Sequence, residues 1–215
     1  MPKIDSQTRP RKERKENAER RRRQLLDATR RSIVVNGLRR TTLATVANEA
    51  GLSPGVAVFY FKSKSGLLAE ALRDLYISYE RNWNRLLEEA GEDPIERLIA
   101  LIRAEFDPEV CNEEFISVWF AFWGEKEIVL SQGTEISAFD LRIEQTGKDI
   151  LDQLLPTEPE RSKEISSWLE MLLGGMWLAL HMDPRTINLE DTKKSVLRFL
   201  AMQLPEYSSA ILRHA

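Results

Sequence analysis

One cysteine, two histidines and the lack of any apolar run long enough to cross a bilayer set the first bounds on this 215-residue chain. Cys111 by itself cannot form an intrachain disulfide. With only His181 and His214 beside it, there is no cluster with zinc-ligand spacing. No metal and no cofactor is therefore expected. The longest weakly polar run, residues 171–182, is far too short for a membrane span, and the N-terminus is basic and polar rather than followed by an apolar signal core. A cytoplasmic protein with no membrane partner is expected. The sparse glycines form no phosphate-cradling loop, and neither an internal repeat nor a heptad array is present.

Strand-type alternation is missing as well, and what remains is helical. Leu25, Leu26, Ala28, Ile33 and Val34 recur at helical spacing in a first helix that Gly37 stops. A long helix follows over 63–90, with Leu67, Leu68, Ala71, Leu72, Leu75, Tyr76, Tyr79, Trp83, Leu86 and Leu87 on its apolar side. Further helices are expected over 94–106, 109–125, 128–155, 158–181 and 189–203, with prolines at 94, 108, 156, 159 and 184 where helices stop or start. The fold class is all-α, with about nine helices. The expected divisions are a disordered basic arm over 1–18, a three-helix domain over 19–66 and a larger helical domain over 67–215.

The corner between the first and the long helix carries the most information. Leu43, Val46, Ala47 and Ala50 share one side of a short helix, Gly51 can turn left-handed, and Ser53-Pro54 restarts a helix with a side-chain cap and a proline at its first position. Two helices of two turns cannot survive alone, and packed by a third they make a helix-turn-helix whose second corner helix enters the DNA major groove. Charge agrees. Residues 1–66 hold 16 Lys/Arg against 6 Asp/Glu, a net of +10, while the remainder carries −13.

The pattern Thr42, Val46-Ala47, Ala50-Gly51-Leu52-Ser53, Gly55, Tyr60-Phe61, Lys64 and Leu67-Leu68 resembles the TetR family of bacterial transcriptional regulators. The resemblance implies a homodimer that binds a roughly palindromic double-stranded operator through its N-terminal domain and a small-molecule effector through its C-terminal domain. It also implies that Thr42, Tyr60 and Lys64 grip phosphates, contacts that position without specifying sequence. Val46, Ala50, Leu52, Ala57 and Phe61 are expected to pack and hold the corner angle. The recognition helix departs from the family's usual pattern: residues 54–59 carry no charged or amide side chain, so bidentate reading of guanine or adenine is ruled out. Pro54, Gly55, Val58 and Phe59 can instead meet thymine methyls or approach the backbone closely, unless Phe59 packs inward. Ser53 at the helix start and Arg22 and Arg23 in the basic segment complete the expected DNA-binding set. For the Arg20–Arg23 run, nonspecific phosphate contact and minor-groove insertion both remain open.

Phe106-Asp107, Trp119-Phe120-Ala121-Phe122-Trp123 and Gly175-Met176-Trp177-Leu178 are similar to the C-terminal domain of BetI-type repressors of the choline to glycine betaine pathway. An aromatic stripe such as Phe115, Trp119, Phe122 and Trp123 is ordinarily core. Tryptophan faces also attract quaternary ammonium groups, so Trp119, Phe122, Trp123 and Trp177, with Asp107 or Glu105 adding negative potential, can equally form a cation box. The effector is then choline or a related cation; an unrelated ligand is the alternative. Dimerisation is expected on the last two long helices, through Trp168, Leu172 and Gly175 on one and Leu197 and Leu200 on the other. A nonspecific architectural protein, or a small helical enzyme using Glu105, Asp107 and His181, is a further alternative, although no motif joins those three residues.

Overall fold

The computed structural model of the protein describes residues 11–125, 133–185 and 187–215. Among them are ten α-helices, one 3-10 turn and no strand. The chain divides into two compact units, one running to Ala71 and the other Leu72–Ala215.

Four helices belong to the first unit: α1 (Arg11–Arg40), α2 (Leu43–Glu49), α3 (Pro54–Phe61) and the beginning of α4 (Lys64–Ala90). The basic arm expected over 1–18 is corrected for its second half, because residues 11–18 form the opening turns of α1. Arg, Lys, Glu and Ala dominate there and are good helix formers. Lys15 and Glu19 add an i,i+4 pair at 3.8 Å. Residues 1–10 lie outside the described residues. At the other end of α1 the helical path breaks at Gly37, whose φ of 73° and ψ of 166° only glycine adopts without strain. Thr41, buried after the break, donates its hydroxyl to the Gly37 carbonyl at 3.0 Å and shares a 3.1 Å hydrogen bond with Ser32.

The corner closes through two capping devices. Thr42 opens α2 with a reciprocal capping box, its hydroxyl accepting from the Thr45 N–H at 3.1 Å while Thr45 Oγ1 accepts from the Thr42 N–H at 2.8 Å. Gly51, at φ 65°, ends α2 in a Schellman motif, with Leu52 N–H donating to Ala47 O at 2.8 Å and Gly51 N–H to Asn48 O at 3.0 Å. Ser53 occupies the N-cap of α3 with Pro54 at the first helical position. The expected side-chain cap is nevertheless not made, and the Val56 N–H goes instead to the Ser53 backbone carbonyl at 2.9 Å. Ser63 starts α4, accepting from the Gly66 N–H at 3.0 Å. The unit's core is Leu25, Leu26, Ala28 and Ile33 from α1, Val46 and Ala47 from α2, Ala57 and Phe61 from α3, and Leu67, Leu68 and Ala71 from α4.

The second unit contains the rest of α4 with α5 (Pro94–Ala104), α6 (Glu113–Trp123), α7 (Gly133–Leu154), α8 (Pro159–Met182), α9 (Leu189–Gln203), a 3-10 turn (Pro205–Tyr207) and α10 (Ser208–Leu212). Asp93, Asn112 and Asn188 cap α5, α6 and α9. The Asn112 cap explains why α6 begins four residues later than its apolar pattern suggests. The final turn and α10 were not legible as helix. Trp83 and Leu86 of α4, Leu98, Ile99 and Ile102 of α5, Ile150 and Leu151 of α7, Ile165 of α8, and Leu197, Leu200 and Leu204 of α9 and its C-cap make the core. Buried Asn82 of α4 donates to the Ala104 carbonyl at 3.0 Å, beside the Asp107 N–H that reaches the same oxygen at 3.2 Å, so the last carbonyl of α5 has two partners. No helix among the described residues is long and apolar enough to cross a membrane.

Candidate functional site

Around α3 the first unit sorts its side chains cleanly. Ala57 and Phe61 are buried, whereas Val58 is 47% and Phe59 68% exposed, so Phe59 does not pack inward. Pro54 and Gly55 are exposed on the same helix, and Tyr60 is half-buried with its ring edge-on to Phe59 at 5.2 Å. Lys62, at a φ of 64°, closes α3 by donating its N–H to Val58 O at 3.0 Å. Its ammonium donates to Phe59 O at 2.8 Å and stands 5.2 Å from the centre of the Phe59 ring. Lys64 Nζ donates to the Arg39 carbonyl at 2.6 Å, which places its charge beside the connection between α1 and α2. Arg22 pairs with Glu70, and Arg23 with Asp27 at 2.6 Å. Both arginines already have carboxylate partners.

In the second unit, aromatic rings from four helices converge. Trp119 of α6 lies 4.9 Å from Tyr76 and 5.4 Å from Tyr79 of α4, 6.2 Å from Phe115 one turn earlier, and 5.7 Å edge-on from Trp177 of α8. Phe139 of α7 adds a ring 5.6 Å from Tyr76. Glu105, just after α5, meets this cluster twice. Its carboxylate accepts from the Tyr79 hydroxyl, and its carbonyl accepts from the Trp177 indole N–H at 3.1 Å. Burial pushes the Glu105 carboxyl up to about 7, against the opposing pull of the Tyr79 hydrogen bond. Burial and the neighbouring Glu105 likewise hold Tyr79 well above the ordinary phenol range. No cationic side chain pairs with Glu105 among the described residues. Asp107 differs: it is held by Arg85 at 2.7 Å and accepts the Glu109 N–H at 2.9 Å, so its charge is already matched.

Comparison with known proteins separates the two units in the same way. Residues 25–71 match the model for bacterial regulatory proteins of the tetR family, and residues 94–205, more than half the chain, match the C-terminal domain of BetI-type transcriptional repressors. The chain belongs to the TetR family of bacterial transcriptional regulators. Its TetR-family relatives include the HTH-type transcriptional regulator BetI of Burkholderia mallei, 33% identical over 74% of this chain and 80% of that protein. The BetI of Stenotrophomonas maltophilia is 29% identical over 86% and 93%. Among solved structures, a transcriptional regulator from Pseudomonas aeruginosa PAO1 shares the fold at a TM-score of 0.69 and 20% identity, covering 90% of this chain and 94% of that one. A transcriptional regulator from Saccharomonospora viridis in complex with choline shares it at 0.68 and 21%, covering 85% and 96%.

Within this TetR-family fold, the residues expected to form a ligand box are not all brought together. Trp119 and Trp177 meet. Trp123 is 64% exposed and pairs with Phe120 at 6.0 Å, because it lies about 80° around the helix from Phe115 and at the end of α6. Phe122 is fully buried as core. Tyr76, Tyr79 and Phe115 take their places in the cluster. The two tyrosines escaped sequence reasoning because they sit on α4, where their 3.6-residue spacing reads as ordinary core. His181 stacks on Phe120 at 4.9 Å, so Glu105, Asp107 and His181 each have separate partners.

Two expected interface residues are also corrected. Leu197 and Leu200 are fully buried within the subunit, on the side of α9 that faces the core. Trp168 is half-buried against Phe199 at 6.2 Å, while Leu172 and Gly175 are exposed. With Met171, Leu178 and Met182 they leave an apolar stripe along the outside of α8.

Proposed function

We propose that the protein is a dimeric repressor of a palindromic operator and is released from DNA by choline or a closely related quaternary ammonium compound. The observation that carries the effector class is Glu105: its carboxylate accepts from Tyr79 and its backbone carbonyl from Trp177, both rings of the cluster around Trp119, and no cationic side chain pairs with it among the described residues. A lone buried carboxylate is costly unless a positive charge joins it, and aromatic faces attract a cation that cannot donate hydrogen bonds. Both needs are met by one quaternary ammonium group. The choline bound to the Saccharomonospora viridis regulator supports the same reading.

The rings stand 4.9–6.2 Å apart, with Trp177 edge-on to Trp119, and give a trimethylammonium group aromatic walls from α4, α6 and α8. To release DNA, the ligand must bind two arrangements of the second unit unequally, which is the condition for coupling. Tyr76 and Tyr79 lie on α4, the helix that begins at Lys64. Dimerisation uses the exposed stripe of α8, with Leu172, Gly175 and Leu178 at its centre.

Titration of choline, betaine aldehyde and glycine betaine against tryptophan fluorescence tests the effector. Saturable quenching or a spectral shift with choline, lost in Glu105→Ala, supports the proposal. An unchanged spectrum with all three compounds rejects it. Footprinting on the DNA upstream of the gene tests the other half, where a discrete palindromic protection released by choline is expected and uniform coating would reject a specific repressor.

A further inference from the structure

We infer that α3 reads thymine 5-methyl groups through Phe59 and Val58, making the operator contact of this chain an apolar one. The inference rests on the helix-turn-helix reading above and specifies what that helix recognises. Gly55, Val58, Phe59 and Lys62 fall on one arc of α3, opposite buried Ala57 and Phe61. Large apolar side chains at 47% and 68% exposure on a two-turn helix are not needed by the core, which is complete without them. They stand in a segment with 16 basic and 6 acidic residues, a setting that suits a polyanion and not an apolar protein surface.

In the major groove, the one apolar group that a base pair presents is the thymine methyl. The remaining features of the helix agree with that occupant. Gly55 has open space around its Cα, so backbone and groove can approach closely at the helix start. Lys62 places its ammonium beside the Phe59 ring, so that a phosphate contact and a methyl contact fall within one turn of each other. Nothing in Pro54–Phe61 offers the paired donors that would read guanine or the donor and acceptor pair that would read adenine.

Deoxyuridine lacks only the 5-methyl group, which makes the test direct. A binding site is selected from a random duplex pool with the full-length protein and synthesised with its thymines intact or replaced one at a time by deoxyuridine. Affinity is then followed by fluorescence anisotropy. Replacement at the contacted positions is expected to weaken wild-type binding about three- to four-fold per methyl, the scale of one buried methylene-sized group. In Phe59→Ala the same replacement is expected to have little further effect at the position Phe59 contacts, as for any interacting pair. An unchanged thermal melt shows that the variant remains folded. Equal affinity for thymine and deoxyuridine sites overturns the inference, and so does a Phe59→Ala variant that loses the full factor at every position. If the pool yields no enriched site, the helix-turn-helix reading itself fails, a result distinct from indifference to deoxyuridine.

Discussion

The indole N–H of Trp177 donates to the backbone carbonyl of Glu105 at 3.1 Å, joining α8 to the residue that ends α5. The bond fixes where residue 105 leaves its helix and so aims the carboxylate at Tyr79. Trp177→Phe keeps an aromatic face but removes the donor and leaves a partly buried carbonyl unpaired. It should cost about 1–3 kcal/mol in urea denaturation and weaken choline binding in fluorescence titration.

Titration of Glu105 sets a pH dependence with a definite sign. Its folded-state pKa, about 7, lies above the usual carboxylate range. The folded ligand-free protein therefore holds that proton where the unfolded chain has lost it. The stabilising contribution is present at acid pH and disappears as pH rises through about 7. Glu105→Gln should raise the thermal midpoint at pH 8 and leave it nearly unchanged at pH 4.5. Choline affinity should move the other way, falling as pH drops below 7 in the wild type and staying flat in the variant. Tyr76, Tyr79 and Cys111 all have pKa values raised above their ordinary ranges by burial, so they stay neutral across this window. An affinity that is constant from pH 5.5 to 8 would remove Glu105 as the counter-charge.

Of the four glycines in the DNA-binding unit, Gly66 alone is tightly packed. A Cβ there would lie 2.3 Å from the Phe61 carbonyl oxygen, a backbone atom that cannot swing away. Gly66→Ala should push α4 off the end of α3, with destabilisation of roughly 1–3 kcal/mol and loss of operator binding in anisotropy. The tryptophan fluorescence response to choline should survive, because the second unit has its own core. Wild-type DNA affinity in the variant would contradict this account.

The outer stripe of α8 makes a prediction about assembly. Leu178→Glu places a charge among Leu172, Gly175 and Met182 without touching the core, Leu178 being exposed in the single subunit. Sedimentation should show a monomer with native helical content, and operator affinity should fall steeply because one recognition helix cannot span two half-sites. A dimer that survives this substitution lies elsewhere on the surface.

The parts of this architecture carried by local signals were readable in advance. Gly37 and Gly51 read as breaks because left-handed backbone leaves glycine few competitors, and the helix order follows from apolar spacing punctuated by proline. Side-chain direction around a helix was harder. Leu197 and Leu200 have the same chemistry as Leu172, and only tertiary packing decides that two face the core and one faces out. Trp123 failed for a related reason, since a spacing of four residues drifts round the helix until the neighbouring helix no longer covers it. In the sequence Glu105 and Asp107 offer the same negative charge, and nothing local ranks one above the other. Pairing with Arg85, remote in sequence, matches the charge of Asp107, while Glu105 has no cationic partner among the described residues.

Cys111 acquires an experimental meaning from its position. It is the only thiol in the chain, it is buried, and burial together with Glu105 and Asp107 pushes it up to about 11. A thiolate is the form that alkylating reagents attack, so the closed molecule resists labelling twice over, by access and by ionisation. The rate at which iodoacetamide modifies the native protein thus becomes an internal clock for how often the region between α5 and α6 opens, with no engineered label required.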